Sequence, residues 1–512
     1  MKRIFITLFA FCYVTGCYAQ FVSKETAQKV AENFFATRFY AANRTSMIVH
    51  PYGSAENPTM YIISSDNLWV LIAADRRVQP VLAYSDNDTV ESWWGDKNSS
   101  VMQDMAEWYN NQIAEMRDRN DSREYDTRWN LYLGANLREI SNLTSVVVAP
   151  LIRRDSMLIK WKQRGNDSSP ASSVKCYNQY CPQTTDPQCI NGHMVVGCAP
   201  LALGMIMWYW RWPLVRKKSQ THDFAIYEWE KMPYVLTDTT LGERANAVAT
   251  LLHDIGVEMH TEYGCQASST NFDSVVPVLQ NKFLYASSNL LQRQYYSDSA
   301  WINMIKTDLD NGRPVFYTGY ANSQSKTISG SGSWHAFIID GYDSDNKFHI
   351  YYGGGVNNGN NYLSLDAISY NTRQMMIHNI QPIDTSCLPV VIPSTDVWDT
   401  TFMIQRRGGI MVGNRTITYG MRGVIASGNY VKLTSGFKVN AGAHLYITCD
   451  SIDCDSREYT YPLADDIQPQ RRIIQKADSQ KESLAASKIF RDGQIYIIRG
   501  DKIYTLTGIE TK

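Results

Sequence analysis

VVGCAPLALGMIMWYWRWP, residues 195–213, sets one cysteine, Cys198, directly after a glycine and at the head of an almost unbroken apolar run that closes on a proline. The run predicts a buried helix carrying a thiol at its N-terminus. Pro200 suits the first turn, where its missing N–H costs nothing, and Pro213 makes Trp212 the expected last helical residue. Leu201, Met205, Trp208 and Trp212 share one face, while Leu203, Ile206, Met207 and Trp210 make the other faces apolar too, so the helix is expected to be surrounded by protein. A thiol at that end feels the positive pole of the helix dipole, which favours thiolate. Taken alone, Cys198 reads first as a small core residue or half of a disulfide.

A nucleophilic cysteine needs a base, and usually a donor for the developing oxyanion. Downstream, residues 334–342 (WHAFIIDGY) read as a strand closed by a turn, with His335 near its start behind the glycine- and serine-rich loop 329–333. Residues 347–352 are its expected partner strand, and 315–320 a further strand. The interval from Cys198 to His335 falls in the range known for papain-like enzymes. Upstream, Gln163 closes the run Trp161-Lys162-Gln163. Its amide can donate to an oxyanion, with the Cys198 backbone N–H as second donor. Each of the three has an ordinary structural reading by itself; their joint occurrence points to nucleophilic catalysis.

The rest of the chain sets limits. At 512 residues and 44% hydrophobic it has core enough for two to four domains, and a formal net charge of −1 provides no basic field for nucleic acid. Lys2 and Arg3 precede an apolar run, residues 4–14, of signal-peptide length rather than membrane-spanning length. Cleavage after Ala19 is the expected exit, with a lipoprotein-type anchor at Cys17 as the alternative. Either way the product is exported, secreted or held at the cell surface or in the periplasm, where disulfides persist. No later stretch reaches transmembrane length.

Behind the signal, Ser23 is a cap for a helix with Ala27, Val30, Ala31, Phe34 and Phe35 inward. Two strands, 69–73 and 78–84, and a helix over 101–116 complete a small α+β unit without a cluster of catalytic residue types. Its place suggests a propeptide. Helices are also expected at 243–255 and 300–309. Of the ten cysteines, Cys176, Cys181 and Cys189 sit in a polar loop with His193 nearby, but their spacing is not that of a structural zinc site, so a loop disulfide is the preferred reading over metal. Cys265, Cys387, Cys449 and Cys454 complete the mature set, and the last two bracket a small loop. Residues 397–448 are short strands interleaved with glycines, and 488–512 a three-strand meander.

In order along the chain, Trp69-Val70-Leu71-Ile72-Ala73-Ala74-Asp75, Trp161-Lys162-Gln163, Cys181-Pro182, Gly197-Cys198, Met205-Ile206-Met207, Trp212-Pro213 and His335-Ala336-Phe337-Ile338-Ile339-Asp340-Gly341-Tyr342 resemble the streptopain-like cysteine peptidases of the papain clan over about residues 20–385. The resemblance implies an α+β, papain-like peptidase domain in which a central helix packs on an antiparallel sheet. A small inhibitory propeptide precedes it and all-β accessory segments follow it. It implies Cys198 as nucleophile, His335 as general base and acid, and Gln163 as oxyanion donor, with no metal or organic cofactor. Protein or peptide substrates and the chain's own propeptide are the implied partners. The expected organisation is signal peptide 1–19, propeptide 20–142, peptidase domain 143–386, β-rich domain 387–454, linker 455–487 and β meander 488–512.

Three departures stand out. Ala199-Pro200-Leu201 replaces the family's Val-Ala-Thr after the cysteine, and Trp334 stands where a glycine precedes the histidine. After Phe348-His349-Ile350, the chain has Tyr351-Tyr352-Gly353-Gly354-Gly355 in place of Asn-Trp-Gly-Trp-Gly. The asparagine that orients the histidine and the tryptophans that shield it are therefore missing, with Tyr351 and Asn357 as candidate substitutes. That loss motivates the alternative expectation, a catalytically impaired papain-like scaffold acting as a surface-binding or adhesion protein.

Overall fold

A computed structural model describes residues 20–38, 47–65, 68–86, 100–119, 123–134, 136–154, 157–163, 177–189, 192–217, 224–237, 240, 242–321, 333–353, 361–383, 389–393, 396–449, 487–491, 494–499, 502–505 and 510–511. The expected signal peptide with Cys17, together with Cys176, Asn357, Cys387, Cys454 and most of the expected linker, lies outside them. The described residues fall into two compact units, one drawn from Met1–Arg164, Val196–Ile206 and Ser288–His378, the other from Gly165–Val195, Met207–Ser287 and Asn379–Lys512.

In the first unit, helix α1 (Lys24–Arg38) starts where Ser23 Oγ accepts the Thr26 N–H at 3.2 Å. Ala27, Val30, Ala31, Phe34 and Phe35 are all buried, as their helical spacing requires. Four antiparallel strands follow: β1 (Ile48–Gly53), β2 (Pro58–Ser65), β3 (Leu68–Ala73) and β4 (Val81–Ser85). Two of these, β3 and β4, were expected. Strand β2 has no alternating pattern to read because all of its residues are buried. Helix α2 (Ser100–Asp118) turns Met102, Met105, Ala106, Tyr109 and Ile113 into the same core.

The later strands of this unit are β5 (Val315–Ala321), β6 (Ser333–Asp343), β7 (Phe348–Tyr351), β8 (Asn361–Leu363) and β9 (Thr372–Ile377). They lie in the order β8-β7-β6-β5-β9, and β4 pairs antiparallel with β8 through Ser85↔Asn361 and Tyr84↔Tyr362. The front segment thus continues this sheet as extra strands, giving an 11-stranded sheet among the described residues. Tyr84 and Tyr362 stack at 4.8 Å, the Tyr84 hydroxyl donates to Asp343 at 3.1 Å, and Arg128 reaches Asp345 at 2.6 Å. A further helix, Asp298–Asp310, is capped by Ser297 and buries Trp301, Ile305 and Leu309 in the same core.

Helix α3 is Cys198–Trp210. It is buried all round apart from partial exposure of Cys198. It stops two residues short of the expected Trp212, because Arg211 takes a left-handed φ of 50° that cannot continue a helix. Gly197, at φ 90°, makes the turn into it, a conformation that needs glycine.

Met207–Ser287 and the β-rich tail belong to the second unit. Trp208, Trp210, Trp212 and Trp229 each give their indole N–H to a main-chain carbonyl, of Met232, Ile380, Leu284 and Pro213 respectively, at 2.9–3.1 Å. These bonds let large rings be buried without a stranded donor. Helix α4 (Gly242–Glu258) supplies a second apolar face. Cys189 is disulfide-bonded to Cys265, so the pairing leaves the loop where it was expected. His193 Nδ1 lies 3.0 Å from the Cys181 carbonyl oxygen.

The tail is all β as expected, but its strands run parallel. Thr401–Arg406, Arg422–Ser427 and His444–Cys449 stack in register on one face, and Val390–Ile392, Ile410–Val412 and Val431–Leu433 on another. Thr416–Ile417 with Lys438–Val439 forms a third. Partner rungs recur about every 21 residues, which makes a short three-sided β-solenoid. Its core is Phe402, Ile410, Val412, Ile417, Ile425 and Val431. The meander has four strands rather than three and pairs antiparallel with the rung at Val431–Leu433. Gln405 and Arg407, both buried, reach the segment that follows α3 and the last residue of α3, respectively. Gln405 Oε1 accepts the N–H groups of Leu214 and Val215, its amide donates to the Val215 carbonyl, and Arg407 donates to the Trp210 carbonyl.

Candidate active site

Cys198, His335 and Gln163 all belong to the first unit. Cys198 begins α3 as a free thiol. Three main-chain N–H groups face its sulfur, those of Ala336, Cys198 and Ala199. The last two are the unpaired donors of a helix N-terminus. The first belongs to β6 and places the thiol against the residue next to His335. The helix dipole favours a thiolate; burial acts in the opposite direction and is the larger effect, so the thiol pKa is pushed up rather than down.

His335 is buried on β6, opposite Gly319 of β5. Its Nε2 lies 2.8 Å from the main-chain carbonyl oxygen of Tyr352. A carbonyl only accepts, so Nε2 carries the proton and Nδ1 is left with the lone pair that a general base uses. Burial lowers the imidazole pKa to about 4, against the opposing pull of that hydrogen bond. The ring stacks on Tyr370 at 4.9 Å and 28°, with Phe337 and Tyr352 at 6.2 and 6.1 Å.

The departure at residues 351–353 turns out to be the hub of the site. The Tyr351 hydroxyl donates to the Trp161 carbonyl at 2.9 Å, and the Gly353 carbonyl accepts the Gln163 N–H at 2.8 Å. Both hold the backbone of the Trp161-Lys162-Gln163 run, and Gln163 itself is half-buried. Gly353, at φ 68°, also lies against α3: an added Cβ would stand 2.6 Å from Leu201 Cδ2. Tyr352 supplies the carbonyl for His335. Three consecutive residues thus tie His335, the Gln163 segment and the helix that carries Cys198 to one another. Of the two expected substitutes for the orienting asparagine, Tyr351 does something else and Asn357 is outside the described residues. The group that does touch the imidazole, a main-chain carbonyl, has no residue-type signature and was not legible in the sequence. Tyr370 was also missed; the signal that goes with it is Gly319, whose Cβ would fall 2.1 Å from the Tyr370 carbonyl oxygen.

Among the described residues no group of His, Cys, Asp and Glu is arranged to hold a metal ion, and no helix is long and apolar enough to cross a membrane.

Residues 172–361 match the Peptidase C10 family, and residues 19–113 match the Spi protease inhibitor family. The chain is 24% identical over 448 residues to thiol protease/hemagglutinin PrtT of Porphyromonas gingivalis, covering 78% of this chain and 46% of that protein, so it spans less than half of that relative. It is 24% identical over 342 residues to streptopain of Streptococcus pyogenes, covering 62% of this chain and 75% of that one. Among solved structures it is similar to a prointerpain A fragment of Prevotella intermedia, at 18% identity and a TM-score of 0.44 over 65% of this chain and 98% of that fragment. A Peptidase C10 match behind a protease-inhibitor match is the arrangement of a streptopain-like cysteine peptidase carrying an N-terminal propeptide.

Proposed function

We propose that the chain is an exported cysteine endopeptidase made as a zymogen, with Cys198 as nucleophile, His335 as general base and acid, and Gln163 as side-chain oxyanion donor. The observation that carries this reading is the thiol of Cys198 receiving the N–H of Ala336, beside a histidine whose Nε2 is already committed to a carbonyl. Burial raises the thiol and lowers the imidazole, so the pair rests uncharged as thiol and neutral imidazole. Attack is then a general-base step: Nδ1 takes the thiol proton as sulfur bonds to the peptide carbonyl carbon. The developing oxyanion faces the Cys198 N–H and the Gln163 amide. The imidazolium returns its proton to the leaving amine as the C–N bond breaks. Water, deprotonated by His335, then hydrolyses the thioester and restores the thiol.

Residues 20–142 are the inhibitory segment of this reading, held on the peptidase sheet by the β4–β8 pairing and the Arg128–Asp345 ion pair. Export follows from the charged and apolar N-terminal residues. The alternative of an impaired scaffold rested on the missing asparagine, and the Tyr352 carbonyl supports the peptidase reading over it. The test is Cys198→Ala in the full chain. It is expected to accumulate as unprocessed precursor and to hydrolyse no peptide, while the parent matures; a Cys198→Ala chain that matures by itself and cleaves peptide substrates overturns the proposal.

A further inference from the structure

The imidazole of His335 is pinned at two places that owe nothing to an asparagine or a tryptophan. Nε2 is fixed by the Tyr352 carbonyl at 2.8 Å, and one ring face is covered by Tyr370 at 4.9 Å and 28°. The carbonyl cannot turn away, because the residues either side of it are anchored. Tyr351 pairs with Ile338 in the β6–β7 ladder and bonds Trp161, and the Gly353 carbonyl holds Gln163. Tyr370 reaches the imidazole from the approach to β9, one strand beyond β5. It gets there because β5 carries a glycine opposite His335: the β5–β9 ladder shifts between Thr318 and Tyr320, and at Gly319 any side chain would meet the Tyr370 main chain. Rotation of the imidazole about its Cβ–Cγ bond would therefore break the Nε2 bond and drive the ring edge into Tyr370.

Resting on the cysteine-peptidase reading above, we infer that Tyr370 is a positioning residue for His335, holding the ring face while the Tyr352 main-chain carbonyl holds the ring nitrogen. Together they present Nδ1 to Cys198. Gly319 is the sequence feature that makes room for the arrangement. Tyr370 acts through the angle and tautomer of the imidazole.

The experiment compares the matured parent with Tyr370→Leu, Tyr370→Met and Tyr370→Phe, using a fluorogenic peptide and the pH dependence of iodoacetamide labelling at Cys198. Leu and Met fill space without a flat face. They are expected to lower kcat about tenfold with KM within about twofold, and to move the acid limb of kcat/KM by about half a pH unit. Phe keeps the face and is expected to restore kcat to within about twofold of the parent. Two non-aromatic variants are made so that the failure of one to fold leaves the comparison intact. A folded Leu or Met form with the parent's kcat and pH profile overturns the inference, as does a Phe form as impaired as they are. A matured parent that cleaves nothing and leaves Cys198 unlabelled overturns the peptidase reading, and this inference with it.

Discussion

The Nε2 atom of His335 bonds the main-chain carbonyl of Tyr352 at 2.8 Å, and that single contact fixes which nitrogen of the buried imidazole is free to accept a proton. It also places the histidine under the control of a backbone segment whose next residue, Gly353, touches both the Gln163 run and the thiol helix.

Burial of His335 predicts a pH-dependent stability. Its folded pKa, about 4, lies below the ordinary 6.5, so the unfolded chain takes up the proton first as pH falls. The contribution is fully present above pH 6.5 and is lost as pH drops through that window towards 4. A shift of this size corresponds to about 3 kcal/mol. Urea melts of the Cys198→Ala precursor are expected to show that loss, and the His335→Gln form to lack it. Identical pH slopes for the two would contradict the burial argument.

Gly353 carries two constraints at once, a left-handed φ of 68° and a Cβ position occupied by Leu201. Gly353→Ala is expected to lower stability by about 1–3 kcal/mol and to reduce kcat more than it raises KM. Parallel denaturation and steady-state assays check both, and a variant with unchanged stability would mean that the turn is not needed.

The solenoid is bonded to the end of α3 and the segment after it by two buried side chains, so it is expected to support the fold locally. Gln405→Ala removes the acceptor of the Leu214 and Val215 N–H groups, and Arg407→Ala removes a guanidinium that donates to the Trp210 carbonyl and lies 5.7 Å over the Trp210 ring. Each is expected to cost about 1–3 kcal/mol. Hydrogen exchange at residues 210–215 is expected to rise in both. Unchanged protection there would show the solenoid to be an independent appendage.

The Cys189–Cys265 disulfide joins positions 76 residues apart. Cys265→Ser is expected to lower stability by about 4 kcal/mol, since long closed loops restrict the unfolded chain most. Denaturation of the parent and the variant under oxidising conditions measures it; equal midpoints would place the stabilisation elsewhere.

The elements that carry Cys198 and His335 were legible in the sequence. The thiol helix was readable because apolar residues fill every face of a run bounded by Gly197 and Pro213, and His335 because it begins an apolar strand. Its last turn was misjudged, since nothing in the residue type of Arg211 announces a left-handed φ. The solenoid was readable only as short strands, because rungs such as Thr401–Arg406 and Arg422–Ser427 carry the same local pattern whether they pair parallel or antiparallel. Strand β2 escaped notice because both its faces are buried. The hub at Tyr351-Tyr352-Gly353 escaped because two of its three hydrogen bonds are made by main-chain carbonyls, which every residue owns.

The central claim is that His335, so held, activates Cys198. It is tested most directly by the rate at which a peptidyl thiol-directed probe labels Cys198 in the matured chain, read by mass spectrometry for the parent and for His335→Ala. The account predicts rapid, saturable labelling of the parent at Cys198 alone, and a loss of at least about a hundredfold in His335→Ala. Equal labelling rates in the two, or a matured parent whose Cys198 stays unlabelled, would contradict it.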